Sequence, residues 1–390
     1  MSLFNQKNSY IVYYDHILLG IMICLVIFGL YLQFNIATAL GGEAREMGMF
    51  LGQLRSLGIT VIVFLIFFFS QNISNFLYKG TYIFCFLLIC FLTIALIFNK
   101  TSETGRWTSI MNQSFQPSQL AHPVLIILYA RIIEKKQHLI SHTGILKFFP
   151  NFWFLIFFTV LTFLLIYKGK HLSTLIVLGS TLFTILFVAK FKLKILVVIG
   201  LATILLMWHK INHGESYRKP RINLYSHYNL FTKYFGNYQE QKKIEHNQVM
   251  ESLTAISQGG YFGTGSEKGR AKHKFLGDIN SDYLFAMIAE QHGLLGGLMI
   301  LSAFFIFMYR CALISISINS IFKKLLVFGM SSNIFFTALI NMSVAMSVIP
   351  STGLPLPFMS HGGTALLVNG SMLAIILNLS MQRKVIKRYV

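Results

Sequence analysis

Long apolar runs separated by short polar segments make up most of this chain. About 20 apolar residues are enough to cross the hydrocarbon core of a bilayer as an α-helix. Windows of that length predict ten such helices, the fourth and fifth of them short or interrupted. They cover 17–38, 54–73, 81–98, 120–133, 152–167, 172–189, 193–209, 282–308, 325–349 and 364–380. The predicted fold class is an all-α polytopic integral membrane protein with about ten transmembrane helices.

One polar segment, 210–281, between the seventh and eighth helices, is large enough to fold outside the bilayer. Its second half predicts an amphipathic helix with apolar positions at Val249, Leu253 and Ile256, followed by a basic glycine-rich turn, GTGSEKGRAKHK. We therefore expect a single membrane domain over 1–390. Its parts outside the helices are a cytoplasmic N-terminus (1–16), the large outer loop (210–281), a second outer loop (350–363) and a basic cytoplasmic C-terminus (381–390).

Composition supports the membrane assignment. Mean hydropathy is +0.63, with 55% hydrophobic and only 12% charged residues, which excludes an ordinary soluble domain. The net charge of +20 follows topology and does not indicate nucleic-acid binding: 16 lysines and arginines fall in the predicted inner segments and six in the short outer loops. Because basic residues favour the cytoplasmic side, both termini are expected in the cytoplasm and the long loop outside.

Cysteine usage and the amino-terminal segment add two expectations. The four cysteines lie in or beside apolar runs and no pair has zinc spacing, so neither a disulfide nor a metal site is expected. The first 16 residues are too polar for the apolar region of a signal peptide, and no small-residue cleavage site follows the first apolar run. That run is therefore interpreted as a retained span.

The strongest chemical candidate is Asp282, one of 13 acidic residues. It stands where polar loop becomes apolar helix, so Ser281 can cap the helix and leave Asp282 in its first turn. An ionised carboxylate at the outer mouth of a membrane cavity can accept a proton from a sugar hydroxyl; the alternative is a simple helix cap. Glu290 falls inside the predicted span, where it is either functional or paired with a lysine or histidine of another helix.

Three further segments carry candidate ligand contacts. The glycine-rich turn includes Lys272 and Lys274 and suits a phosphate, although a solvated loop has the same composition, and it lacks the order of a Walker motif. The segment 105–122 places Arg106 at the membrane interface, where it can bind an anionic head group or only anchor the chain. It also puts Gln119 and His122 at the mouth of the fourth helix.

The third segment, 348–367, holds three of the seven prolines. Its stiff outer loop can re-enter the membrane only if protein or water satisfies its backbone. Ser360 and His361 in that loop are candidate substrate contacts.

Five sequence blocks occur together in a familiar order. They are GRWxxxxxxxFQPSQLA, YRxxRI, QxxxSLxAIxxGGxFGxG, SDYLFAMIAE followed by HGLLG, and PSTGLPLPFMSHGGTALL. This set resembles the SEDS (shape, elongation, division and sporulation) family of FtsW/RodA type, and the resemblance extends over nearly the whole chain. It implies ten helices with one large outer loop after the seventh. The GTGSEKGRAKHK turn is closer to the division-type members than to the elongation-type ones.

The resemblance implies a peptidoglycan glycosyltransferase that polymerises lipid II, a disaccharide-pentapeptide on undecaprenyl pyrophosphate, at the outer face of the cytoplasmic membrane. Asp282 matches the family's essential carboxylate and takes the role of general base. Candidates for the pyrophosphate are Arg106, Arg221 and the basic turn, and Gln248 is an acceptor-side candidate. No cofactor is specified, although a divalent cation is left open. The implied partners are a class B penicillin-binding protein transpeptidase and other divisome or elongasome membrane proteins.

The chain departs from the family pattern at several polar positions. Gln119 and His122 stand where the family has a glutamate and a lysine, and His171 stands where it has an aspartate. Gln291 replaces a second acidic residue after Glu290. These changes either compensate one another or make activity weaker or pH-dependent, since histidine titrates near neutrality. The alternatives to the enzyme are therefore a flippase for lipid-linked sugars and a divisome scaffold with weakened catalysis.

Overall fold

The structure, a computed structural model, describes residues 10–39, 44–98, 108–110, 113–140, 144–169, 171–198, 200, 248–266, 269, 282–350 and 353–385. Helices account for most of these residues. They are α1 (His16–Ala39), α2 (Ala44–Phe69), α3 (Ile73–Phe98), α4 (Ala121–Lys135), α5 (Gln137–Ile140), α6 (Ile145–Asn151), α7 (Trp153–Lys168), α8 (Leu172–Val188), α9 (Gln248–Gly259), α10 (Leu284–Ser317), α11 (Ile321–Ala345) and α12 (Gly363–Ser380). A 3₁₀ turn, Pro117–Leu120, leads into α4.

Six helices in the described part of the chain are long and apolar enough to cross a membrane: α1, α2, α3, α10, α11 and α12. Two more apolar helices, α7 and α8, are shorter. The chain is therefore an all-α multi-pass membrane protein, as predicted. The count of ten spans stays a prediction, because most of the predicted seventh helix, of which 193–198 are helical, lies outside the described residues.

Two helices begin earlier than the apolar windows indicated. α2 starts at Ala44 instead of residue 54, and α3 starts at Ile73 instead of residue 81. In α2 the added turns contain Gln53, which is buried against another part of the protein. A hydropathy window counts such a residue as polar loop, whereas its hydrogen bonds make it compatible with a packed helix.

The two ends of the described chain lie at the same face of the bundle. Strand β1 (Tyr10–Tyr13) pairs antiparallel with β4 (Gln382–Val385). Next to this ribbon, Asp15 caps α1 by accepting from the amide of Leu18 (2.9 Å) and forms an ion pair with Arg310 of α10, whose Nη2 is 2.6 Å from Asp15 Oδ2. An even number of crossings is required by this arrangement. The cytoplasmic assignment of that face stays a prediction.

Helix α11 occupies the centre of the bundle. In its most apolar 18-residue window 83% of residues are buried, against 11% for the corresponding window of α2. At Gly329 of α11 an added Cβ would lie 2.7 Å from a methyl of Ile185 and 2.8 Å from a methyl of Ile126, so α4 and α8 approach α11 closely there. The second short ribbon, β2 (Thr108–Ile110) with β3 (Gln113–Phe115), precedes the 3₁₀ turn.

Candidate functional site

Asp282 was predicted in the first turn of its helix, but it lies just before α10. Tyr283 occupies the N-cap position and α10 begins at Leu284. The side-chain nitrogen of Asn341, on α11, donates to the backbone oxygen of Asp282 (3.1 Å) and to that of Leu354 (2.6 Å). These two hydrogen bonds, and not a helix cap, fix the position of the aspartate relative to the last outer loop.

The carboxylate of Asp282 faces a glycine of that loop. A Cβ added to Gly353 would be 3.7 Å from Asp282 Oδ2, and Gly353 adopts φ +74°, a conformation that glycine adopts without strain. Asp282 itself is half-buried. The carboxylate therefore lies beside a glycine that adds no side chain to its surroundings.

Residues 353–362, called the re-entrant loop here, enter the bundle between α1 and α2. An added Cβ on Gly29 would be 2.5 Å from Met359 Cα, and Gln33 donates to the carbonyl of Met359 (2.5 Å). Gly29 lies ten residues from the end of α1 at Ala39, roughly 15 Å along the helix axis. The loop therefore reaches membrane depth, as the predicted alternative of a re-entrant loop requires.

Side chains of neighbouring helices satisfy the backbone of the re-entrant loop. Gln53 of α2 donates to the carbonyl of Ser360 (3.3 Å) and accepts from the amide of Gly362 (3.2 Å). The hydroxyl of Ser360 accepts from the amide of Leu356 (2.9 Å), so this residue holds the loop in shape. His361 is half-buried and outside the helices, and burial lowers the pKa of its imidazole. It is therefore neutral at physiological pH.

The two polar residues predicted at the mouth of α4 belong to two hydrogen-bonded groups. In the first, Gln119 donates to Gln116 Oε1 (3.3 Å), and Gln116 Nε2 donates to Nδ1 of His171 (3.0 Å). In the second, Asn333 Nδ2 donates to Nδ1 of His122 (2.7 Å) and to the hydroxyl of Thr181 (3.2 Å).

An amide nitrogen can only donate, so His122 accepts at Nδ1 and His171 accepts at one of its two ring nitrogens, which lie 3.0 Å (Nδ1) and 3.3 Å (Nε2) from Gln116 Nε2. Gln119, His122 and His171 stand where the FtsW/RodA-type family has charged residues. In this chain they form hydrogen-bonded groups without a formal charge.

A stripe of polar residues on α11 connects the His122 group to the backbone of Asp282. Asn333, Thr337 and Asn341 are spaced four residues apart and are buried on one face of the helix. Asn333 binds His122 and Asn341 binds Asp282 O, about 12 Å further along the axis. This stripe was not predicted from the sequence. Its signal was three polar residues at helical spacing inside an apolar run, which marks a polar face inside a membrane bundle.

Helix α10 is interrupted at Gly293, which has φ +66° and ψ −164°. Residues 259–265, called the glycine turn here, fill the break. The amides of Thr264 and Gly265 donate to the carbonyls of Glu290 (2.9 Å) and Gln291 (3.1 Å), and Gly260 O accepts from Leu294 N (2.9 Å). The GGYFGTG block therefore supplies the backbone hydrogen bonds that the broken helix lacks.

The glycine turn is positioned by α9, which was predicted as a helix. Its buried residues are Ser252, Ala255 and Gly259, while the three apolar positions are partly covered. Small side chains allow close approach: a Cβ on Gly259 would overlap the carbonyl of Ala289 in α10. Close helix contact, and not apolar burial alone, selects this face.

The remaining predicted residues have separate positions. Glu290 is 1% exposed, and its Oε2 is 3.1 Å from the Cβ position of Gly269. Gln248 is exposed at the start of α9. Arg106, Arg221, Lys272 and Lys274 lie outside the described residues. In the described ranges, no three histidine, cysteine or acidic side chains group closely enough to hold a metal ion.

Comparison with known proteins confirms the resemblance carried by the five sequence blocks. A family model described as "Cell cycle protein", covering FtsW, RodA and SpoVE, matches residues 15–385. The chain is 24% identical over 379 residues to a probable peptidoglycan glycosyltransferase FtsW of Geobacter sp. (strain M18), covering 95% of this chain and 98% of that protein.

Two solved structures share the fold. One is a chain in a peptidoglycan synthase complex described as coordinating polymerization and crosslinking (TM-score 0.73, 18% identity, covering 94% of this chain and 97% of that one). The other is the rod shape determining protein RodA of Thermus thermophilus (TM-score 0.65, 19% identity, 94% and 96% covered).

Proposed function

Because the chain belongs to the FtsW/RodA/SpoVE family, we propose that it is a peptidoglycan glycosyltransferase that polymerises lipid II at the outer face of the cytoplasmic membrane. The observation that carries the proposal is the placement of Asp282, which is held by Asn341 against the re-entrant loop with its carboxylate beside Gly353. A relative aligned over 95% of this chain is named a probable peptidoglycan glycosyltransferase, which supports the same activity.

In the proposed reaction Asp282 is the general base. Its carboxylate accepts the proton of the acceptor sugar's 4-hydroxyl while that oxygen forms a bond to the donor's anomeric carbon. The bond from that carbon to the pyrophosphate oxygen breaks, and undecaprenyl pyrophosphate leaves with the electron pair. One direct displacement inverts the configuration at the anomeric carbon.

Two sets of residues are assigned to the substrate in this proposal. Arg106, Arg221, Lys272 and Lys274 stabilise the anionic pyrophosphate, because cationic side chains favour a developing negative charge. Gln248 contacts the acceptor. Ser360, His361 and Glu290 are assigned to substrate contacts from the re-entrant loop and α10. His361, which is neutral at physiological pH, acts there as a hydrogen-bonding group.

The substitutions at Gln119, His122 and His171 are assigned to mutual compensation. Their hydrogen bonds run through Gln116 and Asn333 without a formal charge. A neutral network needs no counter-ion at membrane depth, whereas removing one charge from a charged set would leave an expensive unpaired partner. The network then shapes the cavity wall and binds uncharged sugar groups.

The proposed partner is a class B penicillin-binding protein transpeptidase, together with other divisome or elongasome membrane proteins. The fold match to a chain of a peptidoglycan synthase complex supports such an assembly. The GTGSEKGRAKHK segment, residues 263–274, favours a role in division over elongation. Both termini are placed in the cytoplasm.

The test uses purified protein with its partner transpeptidase, lipid II and gel separation of glycan strands. Wild type should make polymer and Asp282→Asn should lose about 10²–10⁴-fold in rate, since that range is typical of a removed general base. Glu251→Gln on α9 serves as a control for removal of an acidic residue in the same region and should retain activity. An Asp282→Asn variant that polymerises like wild type would refute the catalytic assignment.

Two other results would favour the competing functions. Movement of lipid II across vesicles without polymer would favour a transporter. Recruitment of the partner without polymer or transport would favour a scaffold.

A further inference from the structure

The side-chain amide of Asn341 forms hydrogen bonds through its nitrogen but not through its oxygen within the described structure. Its Nδ2 donates to two carbonyl oxygens, those of Asp282 and Leu354. Because both partners are acceptors, the nitrogen must face them, and the opposite orientation of the amide is chemically excluded. The oxygen Oδ1 therefore points away from both carbonyls.

That oxygen is buried and finds no hydrogen-bond donor among the described residues. Asn341 is 1% exposed, and buried polar atoms of this kind normally have a partner. Asp282 cannot supply one while ionised, because a carboxylate only accepts. An N–H or O–H group that enters the site can donate to this oxygen.

We propose that Asn341 is a substrate-positioning residue: its nitrogen locks Asp282 to the re-entrant loop, and its oxygen accepts a hydrogen bond from a hydroxyl or acetamido N–H of the substrate sugar. The inference rests on the proposed function for the identity of the substrate. One planar amide then fixes the distance between the base and the sugar whose proton it removes. An error of about 1 Å in such a distance lowers the rate strongly.

Asn378 offers a matched control. Its Nδ2 donates to the carbonyls of Phe67 (3.1 Å), Phe68 (2.7 Å) and Ser70 (2.8 Å), so it also joins two helices through backbone oxygens. It lies at the far end of α12 from the re-entrant loop. Substitutions at Asn378 therefore reproduce the structural damage of substitutions at Asn341 without touching the site.

The experiment compares Asn341→Ala and Asn341→Asp with Asn378→Ala and Asn378→Asp in nanodiscs. Thermal unfolding measures the fraction folded, and fluorescently labelled lipid II measures binding. Asn341→Ala should weaken binding of lipid II about 10-fold or more, as expected for loss of a buried hydrogen bond. Asn378→Ala should leave the Kd unchanged at a comparable loss of Tm.

Asn341→Asp gives a second readout. It retains an acceptor oxygen but places a second carboxylate beside Asp282 and turns an oxygen towards two carbonyls. The acidic limb of the kcat–pH profile should move up by roughly one unit, because a neighbouring like charge favours the protonated form of the base. Asn378→Asp should leave that limb in place.

Two results would overturn the inference. One is an Asn341→Ala variant that, once corrected for folded fraction, binds lipid II like wild type. The other is an Asn341→Asp variant whose acidic limb does not move. A wild-type protein that binds lipid II without making glycan would refute the proposed function alone, since the binding comparison still decides the role of Asn341.

Discussion

The glycine turn and the re-entrant loop are both irregular backbone packed among helices, but different groups satisfy their hydrogen bonds. In the glycine turn the hydrogen bonds join backbone to backbone, because the amides of Thr264 and Gly265 donate to carbonyls of α10. In the re-entrant loop the backbone carbonyls accept hydrogen bonds from side chains, namely those of Gln33, Gln53 and Asn341 on three helices. The first region depends on the absence of side chains and the second on their presence.

This difference predicts how each region tolerates change. Backbone contact leaves no space for a Cβ, so one added methyl group must move a helix. A side-chain amide can be removed with the loop still in place, at the expense of the hydrogen bonds it made. A single substitution in the glycine turn should therefore cost much of the protein's stability. Each substitution around the re-entrant loop should cost a smaller part of it.

The largest effect is expected for Gly263→Ala. An added Cβ would overlap the carbonyl of Gln291, and Gly263 has φ +86°. We expect about 4 kcal/mol or more of destabilisation, since both overpacking and backbone strain act at one position. The measurement is the unfolding midpoint in detergent together with the yield of monodisperse protein.

Gly260→Ala is the matched control in the same turn. Gly260 also has positive φ, +52°, but an added Cβ meets nothing within 4 Å. Only the conformational penalty of about 1–2 kcal/mol remains. Equal effects of the two substitutions would show that backbone conformation, and not the clash with α10, governs the turn.

A smaller effect is expected for Gln53→Leu in the wall of the re-entrant loop. The substitution leaves the carbonyl of Ser360 and the amide of Gly362 without their side-chain partner. Each unsatisfied buried group costs about 1–3 kcal/mol, and hydrogen exchange should increase across 353–362 while the glycine turn stays protected. Leu54→Ala, on the lipid-facing side of α2 (38% exposed), is the control. An unchanged exchange pattern in Gln53→Leu would contradict the assigned role of Gln53.

The smallest effect concerns pH and His361. Burial lowers the pKa of this imidazole below its ordinary value of 6.5, so the unfolded chain binds the proton more readily than the folded one. Stability is then fully present above about pH 6.5 and declines as the pH falls from there towards the lowered pKa. The wild-type Tm should drop between pH 6.5 and 5 by more than that of His361→Gln. A parallel decline in both proteins would remove His361 as the cause.

The helical architecture and Asp282 could be identified without a structure. Apolar run length indicates a membrane helix because the bilayer sets it, and the five ordered blocks carry the family resemblance. Helix starts were less predictable. Gln53 looks like loop in a hydropathy window because its partner lies 307 positions away.

The partners of Asp282 could not be derived in the same way. Asn341 is 59 positions from Asp282, and Gln33 is 326 from Met359. Polar residues at helical spacing signal a buried face but do not say which backbone they reach. The most buried face of α9 could not be derived from its apolar pattern, because close packing on α10 favours the small residues Ser252, Ala255 and Gly259.

The fold class and the family of this protein could be predicted from the sequence, since each depends on local length, composition or motif order, and the role of Asp282 stays a prediction. The tertiary structure alone decided what surrounds that carboxylate: Asn341 and Gly353 beside it, and the glutamines that hold the loop at membrane depth. The physical reason is that buried backbone must find hydrogen-bond partners wherever packing brings them, and packing joins residues that are remote in the chain.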